Sequence, residues 1–154
     1  MHARSPSEDL LASELAAASL QQHGKLRLRV TGSSMLPTIC PQDILLIRHC
    51  PLGAAAEGDI VLFTRDRRLF AHRVTERRGA VLVTQGDSIG QADAPVDATE
   101  FLGKVMRIVR SSTSTPPRLR LTLAARAAAA LFRRSRLAGR VFMRTRSLFG
   151  GELG

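Results

Sequence analysis

The sequence predicts a mainly β domain, a barrel or sandwich, with a helix before it and a basic helical tail behind it. Three observations carry that expectation. From Lys25 to about Arg110 the apolar residues recur with a period of two. Turn formers divide that region at short intervals. Outside it both flanks have the composition of helices. At 154 residues the chain fits one domain with a real core. Six Phe with no Trp and no Tyr make that core aliphatic.

The first element is a helix over residues 7–22. Ser7 suits its N-cap, Glu8 and Asp9 its first turn, and His23-Gly24 its end. Leu10, Leu11, Leu15, Ala18 and Leu20, with Glu14 among them, form a rough apolar face expected to pack on the body. KLRLRV (25–30) then alternates strictly, with Leu26, Leu28 and Val30 opposite Lys25, Arg27 and Arg29. DILLIR (43–48), DIVLFT (59–64), LFAHRVT (69–75), AVLVTQ (80–85) and FLGKVMRIV (101–109) follow as strands. Pro51-Leu52-Gly53, Glu57-Gly58-Asp59, Asp66-Arg67-Arg68, Arg78-Gly79 and Gly86-Asp87 mark the turns.

SSTSTPP (111–117) has the composition of a linker. The chain therefore divides into a helix at 1–24, a β domain at 25–110, the linker, and a tail at 118–154. Residues 1–100 hold 11 Lys/Arg against 12 Asp/Glu, whereas residues 101–154 hold 12 against one, Glu152. A nearly neutral body thus carries a basic end. Residues 118–149 interleave nine arginines with Leu131, Phe132, Leu137, Val141, Phe142, Leu148 and Phe149, and Gly139 is a weak point in that helix. This is the pattern of a segment lying on an anionic membrane surface. A solvated helix or tail is the alternative. Nucleic acid fits less well, because no base-stacking Tyr or Trp accompanies the charge.

Cys40 and Cys50 lack any disulfide framework or metal-ligand spacing and read as reduced thiols. The apolar run LLASELAAASL is cut by Glu14, and no window approaches the roughly 18 apolar residues of a membrane span. The expected setting is cytoplasmic, with the tail holding the chain peripherally at the inner membrane surface.

The stretch TGSSMLPT (31–38) places two serines between a turn and a proline. A serine becomes a nucleophile only with a base within reach and a donor for the oxyanion. Of His2, His23, His49 and His72, the first three lie in termini or beside loops. His72 lies mid-strand on a face shared with Phe70 and Val74, opposite Leu69, Ala71 and Arg73. On such a face a histidine is more often a satisfied core residue than a catalyst, and periodicity alone does not decide between them.

The blocks GSSMLPT (32–38), GDIVLF (58–63), AHRV (71–74), TQGDSIGQAD (84–93) and LGKV (102–105) stand in the order and approximate spacing of the type I signal peptidases and their S24/S26 serine-peptidase relatives. Over roughly residues 26–109 the chain resembles that family in its His-type branch. The resemblance implies a nucleophile at Ser34, a general base at His72 and a third member at Asp93, with Asp87 as runner-up bracing the loop through backbone hydrogen bonds. It implies an oxyanion site at the Ser34 N–H near Gly32, with Ser33 at a variable position and Met35 and Pro37 shaping the floor and turn. Gly32 is expected to let the chain turn. No metal or cofactor is implied. The substrate would be a peptide or protein bound as an extended strand beside 26–30, with small residues near the scissile bond.

The chain departs from the family in having neither an N-terminal nor a C-terminal membrane span. Gln42 stands where the family has glycine, and GDSI is a loose version of its block. Three readings follow: a serine endopeptidase, a catalytically silent peptide-binding module of the same fold, and a self-cleaving regulator that binds DNA. The 24 residues before the first strand are too few for a helix-turn-helix domain, which weighs against the last.

Overall fold

The computed structural model describes residues 6–110, 113–117 and 122–134. Helix α1 (Pro6–His23) precedes strands β1 (Lys25–Arg29), β2 (Ile44–Arg48), β3 (Ile60–Arg65), β4 (Arg68–Arg78), β5 (Val81–Gln85), β6 (Phe101–Arg110) and β7 (Thr113–Thr115), and helix α2 (Leu123–Arg134) ends the described chain. All strand pairings are antiparallel. The strands form one sheet in the order β1-β2-β6-β3-β4-β5, with β7 beside β6. The mainly β expectation holds, with the strands where alternation placed them. β7 is an addition, because Thr113–Thr115 of the segment read as a linker extend the sheet. The tail beyond residue 134, with Gly139 and four of its nine arginines, lies outside the described residues, as do Arg118 and Arg120.

α1 opens on Pro6, one residue before the serine expected to cap it; proline suits a first helical position because its missing N–H has no helical partner there anyway. It closes at Gly24, whose φ of +68° and N–H bond to Leu20 O make a left-handed cap. The buried side of α1 is Ser13, Ala16 and Leu20, while Leu11 and Leu15 are 57% and 61% exposed. Ala18 is exposed as well. The expected apolar face is therefore rotated. Small residues let the helix approach β1 and β4 closely, and the leucines are left to solvent.

β3 is the centre of the packing. Ile60 and Leu62 join Leu20, Met35, Ile39, Leu45, Ile47, Val105 and Ile108 in one core. Val61 and Phe63 join Leu52, Val74, Leu82, Val96 and Phe101 in a second. Successive residues of a strand face opposite sides of its sheet, so the continuous run Ile60–Phe63 supplies both cores.

The turns entering β2 and β3 are built alike. Asp43 accepts the Cys40 N–H through its carboxylate and returns its own N–H to Cys40 O; Asp59 does the same with Ala56. Each turn needs a left-handed residue before its aspartate: Gly58 at φ +91° and Gln42 at φ +75°. The departure at Gln42 is thus a strained side-chain-bearing residue in a glycine place. Arg110 ties Asp43 to the end of β6, and Lys104 ties Asp59 to its middle.

Gln42→Gly is expected to raise the free energy of unfolding by about 0.5–1 kcal/mol, the relief of left-handed strain exceeding the added freedom of the unfolded chain. Urea unfolding of the two proteins measures it. A loss of stability would mean that Gln42 is not strained.

Candidate active site

Ser34 sits in the loop that leaves β1. Val30 closes the neck of that loop, donating to Asp43 O and accepting from the Gln42 N–H. Beyond the neck the chain coils tightly, with Leu36 N–H bonded to Ser33 O and Ile39 N–H to Met35 O. Met35, Leu36 and Ile39 are buried, so the serine is presented by a loop anchored in the core. The Leu36–Pro37 peptide bond is cis. Gly32 has no left-handed φ, and a Cβ there would meet nothing within 4 Å. The turn therefore does not require glycine at 32, contrary to the sequence expectation. The position leaves open space next to the serines.

A second loop clamps the first. Ser88 donates its N–H to Ser34 O and its hydroxyl to Ser33 O, both at 2.9 Å. Gly86 makes the approach possible, because a Cβ there would stand 2.7 Å from Ser34 O. The Asp87 N–H points at Met35 Sδ, 3.4 Å away. Asp87 itself accepts from Arg73 Nε and Nη2, each at 2.8 Å, and from the Thr38 hydroxyl. This pair is almost fully buried. Asp87 thus braces the two loops, through side-chain partners rather than the backbone bonds expected of it. Removing either member of such a pair leaves a buried charge, at a cost of about 3–5 kcal/mol.

His72 comes from β4, opposite Val61 of β3. It is 2% exposed, with the rings of Phe63 and Phe70 edge-on to the imidazole at centroid distances of 6.0 and 5.8 Å. Its two nitrogens are both engaged. Nε2 lies 3.0 Å from Ser34 Oγ, and Nδ1 lies 2.7 Å from Asp93 Oδ2. A carboxylate only accepts, so the proton of the neutral ring sits on Nδ1 and Nε2 is left to accept from the serine hydroxyl.

Asp93 is held by the strand beside it. Its N–H donates to Thr84 O, and the Thr84 hydroxyl donates to Asp93 Oδ2 at 2.7 Å. Just beyond, Leu82 and Val96 exchange both backbone bonds. Arg65 binds the carbonyls of Ala94 and Pro95. Burial raises the Asp93 pKa, but hydrogen bonds from His72 and Thr84 and the charge of Arg65 outweigh it, leaving the carboxyl below its ordinary value of 3.8.

Among the described residues, the Ser34 N–H has no acceptor within the chain and stands beside its own Oγ, where an oxyanion forming on attack would need it. No three His, Cys, Asp or Glu side chains among the described residues converge as metal ligands would. From α2, Arg133 donates to Asp87 O at 3.1 Å, which sets the start of the basic tail against the second loop.

The structure thus brings Ser34, His72 and Asp93 into one hydrogen-bonded line and places Ser33, Met35 and Asp87 around it. Sequence reasoning passed over Arg73, Thr38, Thr84 and Ser88. All four stand inside the quoted blocks, but the loop contacts that give them work span between 9 and 55 residues of chain. A family model described as Peptidase S24-like matches residues 7–106, from α1 into β6. No curated protein matches the chain.

Because the folded Asp93 holds its proton more weakly than an unfolded aspartate, its ionisation stabilises the fold above pH ~4, and this is lost as pH falls through its lower folded value. The gap in melting temperature between wild type and Asp93→Asn is expected to be constant near neutrality and to shrink below pH ~4. Thermal melts across pH 3–8 check it; a gap that fails to shrink below pH ~4 would contradict the assigned hydrogen bonds.

Proposed function

This chain belongs to the Peptidase S24-like family, and from that premise we propose that it is a serine endopeptidase with Ser34 as nucleophile, His72 as general base and Asp93 as the group that orients the base. The observation that carries the reading is the unbroken line Ser34 Oγ–His72 Nε2 and His72 Nδ1–Asp93 Oδ2, at 3.0 and 2.7 Å. As Oγ attacks a peptide carbonyl carbon, its proton passes to Nε2, and the imidazolium formed is stabilised by the Asp93 carboxylate. The carbonyl oxygen takes up negative charge beside the Ser34 N–H. His72 then returns the proton to the leaving amine, and an acyl group remains on Ser34. Water, deprotonated by the same nitrogen, releases it.

The edge strand β1 leads directly to the Ser34 loop, and an extended peptide would lie along it as an added strand. Self-cleavage within α1 is disfavoured. Among the described residues, the chain before β1 is a helix whose Ala16 and Leu20 are buried, so entering the site would require it to unfold. The signal-peptidase likeness of the quoted blocks supports cleavage beside small side chains. No helix among the described residues is long and apolar enough to cross a membrane. The helical start of the tail, rich in Arg and Ala, supports peripheral contact with an anionic bilayer.

Protein N-termini compared across the proteome of the native host, wild type against Ser34→Ala, test the reading. New termini are expected in the wild type alone and lost again in His72→Ala, each substitution lowering cleavage by roughly 10⁴-fold or more. Identical termini in all three strains would overturn the peptidase in favour of a silent peptide-binding module.

A further inference from the structure

The outer face of β1, β2 and β6 carries five exposed cations that the hydrogen-bonded line does not use. Lys25, Arg27 and Arg29 alternate along β1. Arg48 stands opposite Lys25, and Leu46, opposite Arg27, has Arg107 on its other side. Partners across a sheet share a face, so all five side chains project together, at strand separations of about 4.8 Å. Among the described residues, Lys25, Arg27, Arg48 and Arg107 make no ion pair, and Arg29 reaches only Gln42 Oε1. No acidic residue lies within β1, β2 or β6.

Charges on an edge strand commonly serve to prevent unwanted pairing. That explains Lys25, Arg27 and Arg29 but not Arg48 and Arg107, which stand on interior strands. The backbone adds a second observation. Gly24 O accepts from His49, and Val30 bonds to residues 42 and 43. Leu26 and Leu28, sharing that parity, therefore turn their backbone groups toward β2, and Lys25, Arg27 and Arg29 turn theirs to the open edge. A peptide pairing there sets the residues opposite Lys25, Arg27 and Arg29 on the cationic face. Its other residues fall beside Leu26, Leu28 and Val30, which are only partly buried.

We propose that the substrate arm running back along β1 from Ser34 alternates acidic with apolar side chains, the acidic ones being selected by Lys25, Arg27 and Arg29 with Arg48 and Arg107 behind them. This rests on the peptidase reading and names the substrate class for it. The selection is by position as well as charge, since an acid one residue out of register faces the leucines. Cross-strand charge pairs are individually weak, so three of them give roughly 3- to 100-fold selectivity. The effect is screened by salt.

The test uses the full chain and a library of 14-residue peptides, carrying Glu, Ser or Lys at alternate or at consecutive positions on either side of an Ala-Ala bond. Cleavage is read by mass spectrometry, and binding to the Ser34→Ala protein by fluorescence polarisation. Wild type is expected to cleave and bind alternating-Glu peptides at least 3-fold better than alternating-Lys ones, with the ratio falling between 50 and 500 mM salt. The triple variant Lys25→Glu, Arg27→Glu, Arg29→Glu is expected to invert the preference, and its gain on Lys peptides shows that it is folded. Binding that prefers alternating Glu without any cleavage would support the selection while overturning the peptidase. Cleavage indifferent to charge, or to its spacing, would overturn the selection and leave the peptidase standing. Failure to bind any peptide would overturn the selection. So would phosphatidylglycerol vesicles displacing no peptide yet requiring the same three cations, because the face would then serve lipid.

Discussion

The hydrogen bond from His72 Nδ1 to Asp93 Oδ2 is the constraint on which the site depends. His72 is a polar ring in an apolar place, 2% exposed and flanked by Phe63 and Phe70. Unpaired, its N–H would carry a desolvation cost of about 1–3 kcal/mol. Paired, the same N–H fixes which nitrogen faces Ser34. The interaction that makes the burial tolerable therefore also sets the tautomer a general base requires. Asp93 meets this need only because Thr84 orients it from β5 and Arg65 pins the segment that follows.

Ser34 depends on a separate lock. Arg73 follows His72 on β4, so alternation sends the two side chains to opposite faces of one strand. His72 reaches Ser34 directly, whereas Arg73 reaches Asp87 and, through Thr38, the loop that carries Ser34. β4 thus positions both ends of the serine–histidine contact within two residues. It is held in turn by β3, whose run Ile60–Phe63 is buried on both faces. Arg133 connects this arrangement to the tail, since the carbonyl it binds belongs to Asp87.

How much of this was legible in the sequence depended on range. Strand β1 was legible from its two-residue period, and β2 to β6 from short apolar runs bounded by turn residues, both local signals; the left-handed turn at 42 was foreshadowed by a glycine the family has there and this chain lacks. β7 was hidden, since Thr-Ser-Thr in a polar segment has linker composition and becomes a strand only by pairing with β6. The α1 face was misread because hydrophobicity favoured Leu11 and Leu15, whereas close approach to the sheet favoured Ser13 and Ala16. Periodicity left His72 open between core and site. The order of the quoted blocks singled it out, and the geometry places Asp93 and Ser34 on its two sides. Arg73 with Asp87 was not legible, because a buried ion pair has no period and no spacing.

Proton NMR of His72 in the resting protein tests the central claim most directly, that a neutral imidazole stands between Ser34 and Asp93 with its proton on Nδ1. The account predicts an Nδ1–H resonance well downfield of the backbone amides at neutral pH, absent from His72→Ala and moved strongly upfield in Asp93→Asn. A His72 ring protonated on Nε2 instead, or an Nδ1–H resonance unchanged by Asp93→Asn, would contradict it.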